Sequence, residues 1–296
     1  MSKENKKLHV AIVLDKSGSM WQTKQAAIEG YNEQVQQLKI NQENGLETEV
    51  CLITFNGQVF EHLWCVPAAE LTEIGNDDYT PNGATALRDA MGYTIKKLMD
   101  TTDWEDENNI YLVIAISDGD SMSDKHYGAA ELKEIIGCCQ ATDRWTFTHM
   151  GCSEDYLKEM AKETGIPVAN YAAWDNASID STRGGMRRAA GRTQKYCQSV
   201  ACGASVKSAN FMSDVSDEVA DFTAPIEDDA VIDVAKPKSE AVNLASALKH
   251  EAVAQASHRF RKSQTQIRTA KKRTAFSDTK AVVWPVEEEV EAVKID

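Results

Sequence analysis

Hydrophobic positions along the first two thirds of the chain follow two alternating periods. Near-continuous apolar runs at 9–15 (HVAIVLD) and 110–117 (IYLVIAIS) predict strands covered on both faces, the pattern of central strands in a parallel sheet. The runs 48–55 and 58–66, joined through Asn56-Gly57, predict a tight hairpin and so one antiparallel edge strand. Further strands are expected at 145–152 and, more weakly patterned, at 166–173. Between these runs apolar residues recur at three- and four-residue steps, predicting helices over 21–39, 85–100, 128–140, 154–164 and 177–199. Ala26, Ala27, Tyr31, Val35 and Leu38 form the buried stripe of the first, and Leu87, Met91, Ile95 and Leu98 that of the second. Strands alternating with helices of this length define an α/β fold, a doubly wound and mostly parallel sheet with one antiparallel edge strand.

The pattern stops near Met212, so residues 1–212 are expected to form the domain and 213–296 a charged, largely disordered tail. Residues 214–233 hold eight acidic groups and no basic one, and a short helix is expected at 239–256. The segment 258–273 carries seven Arg or Lys and no acid, which suits a solvated tail or a partner-docking segment better than a nucleic-acid contact. Trp284-Pro285-Val286, beside an acidic terminus, reads as a short docking peptide.

Charge and cysteine usage narrow the class. A formal net charge of −14 repels phosphate-rich partners at long range, which argues against nucleic acid and anionic membranes and favours solubility. No apolar run reaches the roughly 18 residues of a membrane span, and the start has no signal-peptide pattern, so the cytoplasm is the expected compartment. The seven cysteines are an odd number and include the adjacent pair Cys138-Cys139, which suits reduced thiols rather than a disulfide framework. Cys197 and Cys202 have the wrong spacing for a zinc knuckle.

The chemistry is concentrated at Asp15-Lys16-Ser17-Gly18-Ser19, where the first buried strand ends and the first helix begins. Ligand sites of open α/β sheets form at that carboxyl edge. Oxygen side chains at i, i+2 and i+4 of a curled loop can point into one small space, with Gly18 relieving crowding. Thr85, in Asn82-Gly83-Ala84-Thr85, precedes the second helix, and Asp118, in Ser117-Asp118-Gly119, follows the fourth strand. In order and context these three pieces resemble the metal-ion-dependent adhesion site of the von Willebrand factor A family, over about residues 7–200. The resemblance implies that Ser17, Ser19 and Thr85 supply hydroxyl ligands while Asp15 and Asp118 bind the ion directly or through water. Two carboxylates with neutral hydroxyls suit Mg²⁺, with Mn²⁺ or Ca²⁺ as alternatives.

The implied function is Mg²⁺-dependent binding of a protein partner that offers an Asp or Glu side chain, in an adaptor or assembly factor of the kind that serves AAA+ ATPases. The alternative is a structural component of a phage or cell assembly. A metal-dependent hydrolase fits less well, because no general base stands beside the motif, and the chain is expected not to be an enzyme. DKSGS lacks GxGxxG and GxxxxGKT, and GxSxG is absent, which disfavours nucleotide binding and the nucleophile-elbow hydrolases. His9, His62 and His149 fall in strands and read as packed or hydrogen-bonded residues. Met20 and Trp21 are either exposed contacts or helix-start packing. Asp120 and Asp124 either add negative potential at the rim or sit in a solvated loop, and the polar run SDGDSMSD favours the loop.

Overall fold

The fold is taken from a computed structural model, which describes residues 6–119, 121–174, 179–203, 211 and 281–284, with the backbone alone for 179–181. It belongs to the unit formed by Met1–Asp214 with Arg273–Asp296. Asp120, the 239–256 helix, the basic segment and both acidic clusters of the tail lie outside the described residues.

Six strands, β1 (Lys7–Asp15), β2 (Glu47–Phe55), β3 (Val59–Pro67), β4 (Asn109–Ile116), β5 (Trp145–Gly151) and β6 (Tyr171–Ala173), form one sheet in the order β3-β2-β1-β4-β5-β6. All neighbours are parallel except β2 and β3, whose hairpin closes with Phe55 opposite Val59. Helices α1 (Lys24–Glu43), α2 (Leu87–Thr101), α3 (Ala129–Gln140), α4 (Glu154–Thr164) and α5 (Ile179–Ala201) complete the expected architecture.

Strand alternation divides the core in two. Leu8, Val10, Ile12 and Leu14 of β1 pack with Tyr31, Val35 and Leu38 of α1 and Met186 of α5. Ala11 and Val13 face the other way, onto Leu87, Met91, Ile95 and Leu98 of α2 and Leu132 and Ile136 of α3. Every residue of the two predicted helical stripes is buried. Among the described residues no helix is long and apolar enough to cross a membrane.

Two expected elements differ. The 166–173 run keeps only Tyr171–Ala173 as strand, because Pro167 caps a 3-10 turn at Val168–Asn170 and has no N–H for a ladder. The first helix starts at Lys24 rather than 21, since Gly18–Trp21 is a separate 3-10 turn that wraps the predicted metal loop.

The strand order reverses at β1, with β2 on one side and β4 on the other. A crevice forms at such a switch point, outside the carboxyl ends of the two strands. Asp15 ends β1 and Asp118 lies just past β4.

Candidate metal centre

The local geometry follows from that switch point. Asp15 is fully buried, and its two carboxylate oxygens are separately engaged: Ser17 N–H donates to Oδ1 at 2.6 Å and Ser117 Oγ donates to Oδ2 at 2.6 Å. The Ser17 bond curls the loop back on itself. Ser17 Oγ then lies 3.1 Å from Ser19 Oγ, and Ser19 Oγ donates to Asp118 Oδ1 at 2.6 Å. Asp15, Ser17, Ser19 and Asp118 are thus brought into one linked group of oxygens. Gly119 stands between the loops: a Cβ there would lie 3.7 Å from Ser19 Oγ and 4.0 Å from Thr85 Oγ1, so the two hydroxyls converge over a position without a side chain.

Neighbouring backbone fixes the three loops to each other. Gly18 N–H donates to the Gly83 carbonyl at 3.0 Å and Asn82 N–H to the Lys16 carbonyl at 2.7 Å. Gly83 sits at φ 77, in the left-handed region that favours glycine. The Thr85 carbonyl accepts from Met122 and Ser123 N–H at 2.9 and 3.0 Å, which ties the hydroxyl-bearing loop to the loop after Asp118. Lys16 is turned away, with its ammonium 3.8 Å from the Phe60 ring centroid.

Sequence reasoning missed several supporting groups. Ser117 holds Asp15 because the β1–β4 register sets Leu14 beside Ile116 and so the next two residues side by side. Tyr79 donates its hydroxyl to the Asp15 carbonyl from an irregular segment with no periodic signal. Cys152 Sγ reaches the Asp118 carbonyl at 2.8 Å. Asp124 corrects the solvated-loop reading: its carboxylate is 7% exposed, pairs with Arg88 Nε at 3.0 Å and accepts the Asp89 N–H at 3.0 Å. Met20 and Trp21 divide the two readings between them, Met20 being buried and Trp21 60% exposed.

The site is electrostatically short of positive charge. Burial, reinforced by Asp118 and only partly offset by the Ser117 and Ser17 hydrogen bonds, pushes the Asp15 carboxyl from 3.8 up to about 6. Burial also raises Asp118, against the pull of Ser19. Because the folded pKa of Asp15 is raised, the ion-free domain holds a proton that the unfolded chain has lost between about pH 4 and about pH 6, and its stability falls as pH rises through that window. A cation bound at this carboxylate would have to displace that proton. Thermal melts with and without Mg²⁺ are therefore expected to separate progressively from about pH 5 towards neutrality; a Mg²⁺ shift that is the same at both pH values would remove Asp15 from the binding equilibrium.

A doubly wound sheet with a cluster of oxygen side chains at its switch point defines the class of α/β domain to which this chain is assigned. The chain belongs to the von Willebrand factor type A domain family, whose model matches residues 9–182. Members of that family are commonly metal-dependent protein-interaction modules. Comparison with curated protein sequences gives no match. Among solved structures, a von Willebrand factor type A protein from Catenulispora acidiphila aligns at 16% identity and TM-score 0.46, covering 64% of this chain and 43% of that one. The manganese-loaded TRAP protein of Plasmodium vivax aligns at 16% identity and TM-score 0.41, covering 62% and 74%. Proximal thread matrix protein 1 of the mussel byssus, with a zinc-occupied metal-ion-dependent adhesion site, aligns at 13% and 0.41, covering 63% and 46%.

At the rim of the same sheet end, residues 281–284 lie against the domain. Ala281 bridges to Phe60 of β3 in antiparallel fashion, and Val282 N–H donates to the Val59 carbonyl at 2.7 Å. The Trp284 ring stacks on His126 at 3.9 Å between centroids and meets Tyr93 edge-on at 5.8 Å. Composition alone assigns this tryptophan to the tail; here it docks on its own domain.

Proposed function

We propose that this chain binds a protein partner through a divalent cation held by Asp15, Ser17, Ser19, Thr85 and Asp118, with Mg²⁺ the natural ion and Mn²⁺ or Ca²⁺ as substitutes. The observation that carries the reading is the convergence of two buried carboxylates and neutral hydroxyls, with no basic side chain bonded to either carboxylate among the contacts described. Two carboxylates balance a 2+ ion without filling its shell, so the bound ion supplies a position for a partner's Asp or Glu carboxylate. Trp21 at 60% exposure and Met122 at 84% flank the motif and offer apolar contact to that partner.

The role is that of an adaptor or assembly factor, in the cytoplasm, and binding rather than turnover. His149 supports this: it is buried between Tyr156 and Tyr171 and burial holds its imidazole down at about 3, so it stays neutral and enclosed instead of serving as a base. A AAA+ ATPase or an assembly subunit is the class of partner proposed. The test is affinity capture from a lysate of the source organism with Mg²⁺ and with EDTA, using wild type and Thr85→Ala. Partners should be retained only with Mg²⁺ and weakened roughly 10- to 100-fold by Thr85→Ala. Complexes that survive chelation would instead favour the structural-assembly reading.

A further inference from the structure

A second cluster of ligand-type side chains lies at the opposite end of β1, on the face that packs against α2. The β1–β2 register places His9 beside Glu49 and Ala11 beside Cys51. On the other side of β2, Val50 pairs with Val66 and Leu52 with Leu63, so Cys51 alone opposes both Trp64 and Cys65. That bulge puts Cys65 at φ 48, a left-handed conformation that a cysteine rarely adopts without a compensating role. The result is a close set. Ligand atoms of His9, Glu49 and Cys65 all lie within 4.8 Å of one another, and Cys65 Sγ is 3.8 Å from Cys51 Sγ.

His9 supplies an independent sign that the set awaits a ligand. Its side chain is 3% exposed, and Nδ1 is buried without a hydrogen-bond partner. Asn109 Nδ2 donates to the Asp103 carbonyl at 2.7 Å, which leaves Asn109 Oδ1 facing His9 Nε2 at 3.3 Å. An amide oxygen there requires Nε2 to carry a proton, which leaves Nδ1, 3.4 Å from Glu49 Oε2, as the ring nitrogen that can turn to a ligand. A positive charge between Nδ1 and Oε2, whether a proton in an imidazolium–carboxylate pair or a metal ion that replaces it, is what holds two such acceptors together. A ligand histidine usually donates its other ring N–H to a carboxylate, a backbone carbonyl or water, and the Asn109 amide oxygen takes that acceptor's place here.

We propose that His9 Nδ1, Glu49 Oε2 and Cys65 Sγ, with Cys51 Sγ beside Cys65 closing the set after a small side-chain adjustment, form a second metal centre for a thiolate-preferring divalent ion of the zinc class. The sulfur spacing fits: with zinc–sulfur bonds of about 2.3 Å, the edge of a tetrahedron is about 3.8 Å, the separation observed between the two sulfurs. Cys65 N–H already donates to Cys51 Sγ at 3.2 Å, a bond that supports a thiolate. Uptake of the ion releases the two thiol protons to solvent, leaving two thiolates and one carboxylate on a 2+ ion. Lys7, 2.7 Å from Glu49 Oε1, offsets the remaining negative charge and leaves Oε2 to the ion. The centre would cross-link β1, β2 and the edge strand β3, and it shares no residue with the oxygen cluster at Asp15.

The full-length chain, fully reduced and stripped of metal, would be titrated with Co²⁺. The expected result is one equivalent giving tetrahedral visible bands and a thiolate-to-cobalt charge-transfer band, both displaced by Zn²⁺. Cys65→Ser, at a half-buried position, should weaken Zn²⁺ binding at least about 100-fold in competition with a chromophoric chelator, and Glu49→Gln by about tenfold. Ser17→Ala with Ser19→Ala should leave the band intact, which separates this centre from the site at Asp15. Absence of the charge-transfer band in reduced wild type overturns the proposal, including the case in which Cys51 and Cys65 are found to pair only as a disulfide. So does a band of full intensity in both Cys51→Ser and Cys65→Ser.

Discussion

Replacing Ser17 and Ser19 together by alanine is expected to abolish Mg²⁺ binding in isothermal titration while the domain stays folded. Wild type should show about one site per chain. The double variant removes both hydroxyls from the linked group and strips Asp118 Oδ1 of its donor, so the two carboxylates remain without the neutral oxygens that complete a hard-ion shell. The loop itself persists, because its curl depends on the Ser17 N–H bond to the Asp15 carboxylate and on the Gly18 N–H bond to the Gly83 carbonyl, and neither uses a serine hydroxyl. Stability of the ion-free protein should fall by only about 1–2 kcal/mol, the net worth of one or two hydrogen bonds. At about a hundred times the dissociation constant, Mg²⁺ should stabilise wild type by about 2.7 kcal/mol and the variant not at all. A variant that still titrates with wild-type affinity would move the Mg²⁺ site away from this loop.

The largest stability loss should come from Asp89→Ala, a residue outside the proposed ligand set. Asp89 sits in the first turn of α2 at 3% exposure and accepts three backbone N–H groups, from Lys125, His126 and Tyr127, each at 2.9 Å. It pins the segment that follows Asp118 onto the start of the helix that follows Thr85. Truncation leaves three donors without their partner, at about 1–3 kcal/mol for each that stays buried, and so about 3–5 kcal/mol in all. For a domain of this size that corresponds to a fall of roughly 10 °C in Tm. Asp89→Asn, which keeps one acceptor oxygen, should fall between. Mg²⁺ affinity should drop as well, since the loops bearing Thr85 and Asp118 lose their common anchor. A melting shift under about 2 °C for Asp89→Ala would show that the segment is held by other contacts.

What the sequence revealed and what it hid divide along the range of the interaction. β1 and β4 were legible because burial on both faces leaves an uninterrupted apolar run, and Asp15, Ser17 and Ser19 because their grouping is local to five residues. Asp118 and Thr85 were legible through their place after a strand and before a helix. Asp124 was not, because a carboxylate in a polar run looks the same whether water or Arg88 surrounds it. Cys51 and Cys65 meet only through a bulge, and one residue of slippage in β3 would carry Cys65 to the other face. The 166–173 run was overcalled because apolar composition outweighed the missing donor at Pro167.

Phe211, whose N–H is held by Asn170 Oδ1 at 2.8 Å, and Ala281, bridged to Phe60, are both fixed on the domain although roughly 70 residues of sequence separate them. Among the described residues the attachment at the far end consists of one backbone bond from Val282 and the packing of Val282 and Trp284. Its gain is modest, since fully burying one large apolar side chain is worth about 1.5–3 kcal/mol and both are only partly buried. A clasp of that strength can release while the six-stranded sheet beneath stays intact, as a local unfolding unit distinct from the global transition.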